Sequence, residues 1–200
     1  MGQGQRQETL AGTLIALLLV AGAAGAQNPF SILGRAVTTT LDVRTKAEVT
    51  ADTEIGAGGS KRLLDDKRAE WAGVTMHVFA QHVVLAGAVK TAEVKKRVEE
   101  LVKQDKRIRS LKNELQVGGA GSSAGGTARD LALEAEINAG LTAAKGVSSV
   151  NMRWSATGGR VVLMGVAESQ QEATIAQQKI RGIKGVKSLV SHLRVVPPKK

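Results

Sequence analysis

Apolar residues fall at two spacings along this chain, and the spacings alternate in the same order twice. VTMHVF puts Val74, Met76 and Val78 on one face of a strand, and VVLAGAV at 83–89 follows after a short turn. TAEVKKRVEELVKQ then carries Val94, Val98, Leu101 and Val102 at helical spacing, with Thr91 placed to cap its start. A last strand, roughly Ile108 to Val117, alternates less cleanly. The order recurs as VNMRWSA, VVLMGVA at 161–167, a helix from Ser169 and VKSLVSHLRVV. Val83 falls on Val161, a displacement of 78 residues, and the match runs on without a gap. Thr91 meets Ser169, Ser110 meets Ser188, Leu115 meets Leu193 and Val117 meets Val195. A register held this long points to a duplicated unit.

Each copy also has a preceding helix. TARDLALEAEINAGL aligns Leu133, Ile137 and Leu141 on one face. Its counterpart lies within TADTEIGAGGSKRLLDD, where Gly56, Gly58 and Gly59 each cost about 1 kcal/mol against alanine. That helix is expected to be the softest element. Each unit is predicted to run helix-strand-strand-helix-strand. Ser169 and Glu172 form a predicted capping box, and Lys95–Glu99 and Lys96–Glu100 are predicted four-apart pairs.

Ahead of the repeat the pattern is of another kind. Arg6 precedes an apolar run from Leu10 to Val20, and Ala24-Gly25-Ala26 offers a small-x-small cleavage site, so residues 1–26 read as an export signal. The run is shorter than the ~20 residues that span a bilayer, and an uncleaved anchor is the alternative. No cysteine is available for a lipid anchor. Between the copies GGAGSSAGG at 118–126 has the composition of a flexible linker. The expected division is therefore signal 1–26, linker 27–37, first module 38–117, linker 118–126, second module 127–196 and a basic tail 197–200. Periplasmic location is the expectation, and the family resemblance given below implies a place peripheral to the outer membrane.

Charge narrows the partners. The chain carries +10 at neutral pH, which favours polyanions. After export these are anionic phospholipid and other envelope polymers, with nucleic acid in second place. Aromatic residues make up only 2%, against stacking platforms for bases or sugars. The absence of cysteine excludes disulfides, thiolate metal sites and cysteine catalysis.

The turn and strand Gly159-Arg160-Val161-Val162-Leu163-Met164-Gly165, the helix after it, and Gly185-Val186-Lys187-Ser188-Leu189 together resemble the BON family. They match its G-x-V-x-L-x-G and G-V-x-x-V/L patterns, and Asp130 sits where that family has an acidic residue opening its first helix. The first copy departs at Gln81 and Arg107, which stand where Gly159 and Gly185 stand in the second. The resemblance implies an α+β fold of two tandem BON modules, each a small mixed three-stranded sheet packed on two helices. It also implies a non-enzymatic envelope protein that binds anionic phospholipid or membrane surfaces and supports outer-membrane integrity under osmotic stress, with no cofactor. A periplasmic protein-interaction or chaperone-like module, engaging other envelope proteins, is the alternative; a polyanion or nucleic-acid binder is a further one.

The candidate lipid-binding residues are Lys179, Arg181, Lys184 and Lys187 with Ile183 among them, at the end of the second copy's helix. Cations there also suit the helix dipole, and Ile183 either inserts into lipid or packs. GIKG at 182–185 has the spacing of an RNA-gripping G-x-x-G but leads from helix to strand, the wrong setting. GAGGSK at 56–61 lacks phosphate-loop spacing and reads as helix. His77, His82 and His192 are scattered and form a metal site only if folding converges them. Glu134 and Glu136 read as a solvated face, and no catalytic pair is found.

Overall fold

A computed structural model describes residues 42–67, 71–118 and 124–197. The export segment, the 27–37 linker, most of the inter-module linker and the last three residues lie outside the described residues. The first module runs α1 (Lys46–Asp65), β1 (Val74–Phe79), β2 (His82–Val89), α2 (Ala92–Lys103), β3 (Ser110–Asn113) and β4 (Gln116–Val117). The second runs α3 (Ala124–Ala143), a single 3-10 turn, β5 (Met152–Thr157), β6 (Arg160–Ala167), α4 (Gln170–Arg181) and β7 (Ser188–Val195). In each, an antiparallel hairpin pairs in parallel with the last strand, giving orders β1-β2-β3 and β5-β6-β7. The predicted last strand of the first module is broken at Glu114-Leu115, so β3 and β4 pair with β2 in succession. The stretch expected to be wholly linker gives its last three residues to α3.

Strand alternation and helix periodicity build each core as expected. Val74, Met76, Val78, Val83, Leu85 and Val89 meet Ile55, Leu63, Val98, Leu101 and Val102. Met152, Trp154, Val161 and Leu163 meet Leu133, Ile137, Leu141, Ala176 and Ile180. The glycines of α1 do not interrupt it. Gly56 and Gly59 are buried, and a β-carbon at Gly59 would lie 2.8 Å from the Met76 methyl, so the bare face lets that side chain lie against the helix. Thr45 and Glu48 close a capping box at its start.

The corresponding box at α4 is half formed. Ser169 Oγ accepts from Glu172 N, but the buried Glu172 carboxylate accepts from Glu168 N and Ser148 N, fastening the loop before β5. Of the predicted surface pairs, Lys96–Glu100 is present at 4.0 Å. Lys95 turns instead to the Leu115 carbonyl, and Glu99 accepts from Asn113.

The repeated word owes its glycine to backbone crowding. Gly87 and Gly165 have φ of 110° and 128°, and a β-carbon there would lie 1.9 Å from Gly73 O and 2.1 Å from Asn151 O. No side chain fits. The rest of the word explains how the modules meet. β2 and β6 are apolar on both faces, and their outer faces pack against each other: Phe79, Ala80, Val84 and Ala86 against Val162, Met164 and Val166. The molecule is thus helices, sheet, sheet, helices. At the rim Glu114 accepts from Arg160 at 2.6 Å and contacts His192 at 2.9 Å. Glu114 and His192 occupy the same place in the two copies, so equivalent positions of the repeats meet at this rim. Val43 N donates to Asn151 Oδ1 at 3.1 Å and Gln116 to Thr157 O at 3.2 Å, adding to the seam.

Candidate functional site: the basic end of the second module

α4 ends at Arg181 with Gly182 as a C-cap still at right-handed angles, and the chain turns through Gly185 at φ 101° into β7. The turn is held where Lys187 N donates to Gly159 O at 2.8 Å, which ties it to the β5–β6 hairpin. Lys179, Arg181, Lys184 and Lys187 are therefore carried on a fixed helix end and a fixed turn, and all four are exposed. None of them forms a salt bridge with a described residue; Arg181 reaches only the Gln177 side chain, at 3.5 Å. Ile183 does not join this exposed set. It packs on the second core, and its Cδ1 would sit 3.6 Å from a β-carbon at Gly140 of α3. The arrangement is a rigid cationic ridge beside an apolar anchor that faces inward.

The first module offers its counterpart at the same register. Lys103, Lys106 and Arg109 correspond to Arg181, Lys184 and Lys187, while Asp105 corresponds to Ile183 and Arg62 to Gly140. Where the second module packs Ile183 over Gly140, the first buries a carboxylate: Asp105 accepts from Arg62 at 3.1 Å and from Arg107 at 2.8 Å. The Arg107 hydrogen bond is the main reason the Asp105 carboxyl is held down at about 2. Arg107 also pairs with Glu54, and Arg109 with Glu48 at 3.5 Å. Arg107 and Arg109 are thus satisfied internally, while Lys103 and Lys106 stay exposed without a salt bridge to a described residue.

The acidic residue at Asp130 proves to be a turn clamp. Its carboxylate accepts from Gly158 N at 2.9 Å and Gly159 N at 3.2 Å. Asp52 does the same for Ala80 N at 2.7 Å and Gln81 N at 2.6 Å. The first module keeps the turn although Ala80 and Gln81 hold φ of 50° and 64° without being glycine. Gln81 is thus accommodated, and Arg107 takes ordinary backbone angles on an Asp105 side-chain turn.

Glu134 leaves the expected solvated face. Its carboxylate accepts from Ala156 N at 2.8 Å, covering part of the β5 edge, and burial raises its pKa. Glu136 is exposed. The histidines stay apart: His77 lies in the seam, His82 bonds Ser110 at 2.6 Å and His192 bonds Glu114. Among the described residues no group of three or more potential ligands could hold a metal ion. Among the same residues no helix is long and apolar enough to cross a membrane.

An uncharacterized protein in the gshII 5′ region of Anaplasma centrale is 30% identical over 125 residues, covering 62% of this chain and 83% of its own. A solved structure of CdsD, a structural protein of the Type III secretion system of Chlamydia trachomatis, overlaps 70% of this chain and 62% of that one, at TM-score 0.28 and 17% identity. This chain therefore spans less than two thirds of CdsD's length there. A second structure, of the CdsD C-terminal domain, overlaps 69% of this chain and 63% of that one, at TM-score 0.27 and 17% identity. The model of the BON domain matches residues 51–119 and again 129–197, so that with one match on each folded module the chain belongs to the BON family as a tandem protein of two BON domains.

Proposed function

We propose that this protein is a non-enzymatic component of the cell envelope that binds anionic phospholipid surfaces through the end of α4 in its second module. The observation that carries this reading is the row of four exposed cations, Lys179, Arg181, Lys184 and Lys187, with no acidic partner among the described residues. A cation beside an anionic bilayer contributes about 1 kcal/mol, so four on one rigid ridge suffice for reversible attachment. The BON family's association with phospholipid binding and envelope roles supports the same reading. So does the sequence ahead of the modules, whose export-signal pattern fits a periplasmic protein; a position against the outer membrane and a part in envelope stress are what the family resemblance adds to this reading.

With Ile183 facing the core, the attachment is electrostatic rather than insertive. Co-sedimentation with vesicles tests this directly. Binding is expected to anionic vesicles and not to neutral ones, and to fall steeply between about 50 and 300 mM salt as the Debye length shortens. Equal binding to neutral vesicles, or none to anionic vesicles at low salt, would remove the proposal.

A further inference from the structure

The seam between the sheets contains polar groups that neither module's own packing requires. His77 and Ser155 occupy the same place in the two copies, and each points away from its own core toward the other module. His77 is 8% exposed and Ser155 4%. His77 Nε2 and Ser155 Oγ have no hydrogen-bond partner among the described residues. His77 pairs across the hairpin with Val84, on the sheet face whose Val84 and Ala86 cluster with Val162, Met164 and Val166 of the second module. Phe79, two residues along on the same face of β1, lies between two cations, Arg44 at 4.4 Å and Arg153 at 5.3 Å from its ring centre.

Among the described residues, the carboxylates near the seam already have partners. Ahead of α1, Asp42 is engaged by Arg44 at 2.7 Å; on α1, Asp52 is engaged by Arg44 and by the β1–β2 turn. Glu114 is engaged by Arg160 of β6 and His192 of β7. Arg153 on β5 is the charged group that acts on His77 itself, while His82 on β2 and Arg194 on β7 act on one another. A proton on His77 would thus be buried without a counter-ion and beside a guanidinium.

We propose that the seam is an acid-opened latch, in which protonation of His77 parts the two sheets and bares the apolar outer faces of β2 and β6. Burial first, and Arg153 second, hold His77 down at about 4 in the closed molecule, against 6.5 for a free imidazole. The open form therefore binds the proton more tightly. Closure is at full strength above pH 6.5 and weakens as pH falls toward 4, by up to roughly 300-fold in the closing equilibrium if the opened site behaves as free imidazole. Glu114 does not give way first, because Arg160 and His192 outweigh its burial and hold it below the usual range. The inference stands apart from the phospholipid reading, since the cationic ridge is not part of the seam.

The full chain has no cysteine, so Glu100→Cys on α2 and Gln178→Cys on α4, both exposed, can each carry a spin label. Double electron–electron resonance should give one narrow distance near neutral pH and a broad, longer distribution by about pH 4.5. Circular dichroism should stay unchanged across that range. His77→Gln and, separately, His77→Met should hold the narrow distance throughout, while His82→Gln opens with the parent. Arg153→Gln should move the midpoint to lower pH. A narrow distance at acid pH in the parent, opening of both His77 variants at the parent's midpoint, failure of both to close at neutral pH, or loss of helix signal with opening would each overturn the latch.

Discussion

The two modules share a backbone plan but differ in how they fill one corner of it. Between α1 and the turn after α2, the first module buries the ion pair Arg62–Asp105; at the same positions the second brings Gly140 against Ile183. The ion pair draws charge inward, with Arg107 and Glu54 extending the network. The small-plus-apolar contact needs no charge, and the cations around it stay at the surface. One fold can thus present a partly neutralised end in one copy, where Arg107 and Arg109 are paired while Lys103 and Lys106 stay exposed, and a cationic end without salt bridges to described residues in the other. Duplication conserves the core; the corner sets what each copy shows to its surroundings.

That comparison can be broken where the copies are most alike. Gly87→Val and Gly165→Val each drive a side chain into a backbone carbonyl and into strained φ, with an expected loss of roughly 3–5 kcal/mol by urea unfolding in either module. A large loss in one module only would mean the word has different roles in the two. Next in size is the corner itself. Asp105→Ala removes the buried carboxylate to which the partly exposed Arg62 and Arg107 donate, at an expected cost of about 2 kcal/mol. In the second module Ile183→Asp should destabilise, and adding Gly140→Arg should restore part of the loss, recreating the first module's pair. No recovery in that double variant would show that the corners are not interchangeable.

Acid should also separate the copies. Asp105 is held at about 2 against an ordinary 3.8, so its contribution is full above pH 3.8 and is lost as pH falls toward 2. Acid unfolding followed through that window should reach the first module before the second, and Asp105→Asn should abolish the difference. The smallest expected effect lies in the turns. Ala80→Gly should stabilise the first module by about 1 kcal/mol, because it relieves a left-handed alanine, and Gly158→Ala should cost the second about the same. Thermal melts of the two variants check both signs.

The sequence made the repeat, the order of elements and the apolar face of each helix readable, because those follow from spacing along one segment. Three features were not read. The Arg62–Asp105 pair joins residues 43 apart, and its meaning depends on a second pair, Gly140 and Ile183, that only the fold brings together. Asp130 reads as a helix-opening acid through the family resemblance, and its role, like that of its counterpart Asp52, is set by the hairpin that returns its turn to it. The seam did leave a trace. A sheet with one wet face should alternate, whereas VVLAGAV and VVLMGVA are apolar at every position, the signature of strands buried on both sides. In the sequence His77 is one of three scattered histidines, because nothing local marks a position as facing another module. The cationic ridge was visible in the sequence, but the inward turn of Ile183 was not.

The central claim is that the second module's cations, and not their counterparts in the first, hold the protein to an anionic surface. Lys184→Glu with Lys187→Glu, and separately Lys106→Glu with Arg109→Glu, change the net charge equally at matching positions of the two copies. Measured by co-sedimentation of the full chain with anionic vesicles at low salt, the first pair should weaken binding by roughly 30-fold or more and the second by no more than about 3-fold. Equal losses in the two double variants, or a larger loss from the first module's pair, would contradict the account.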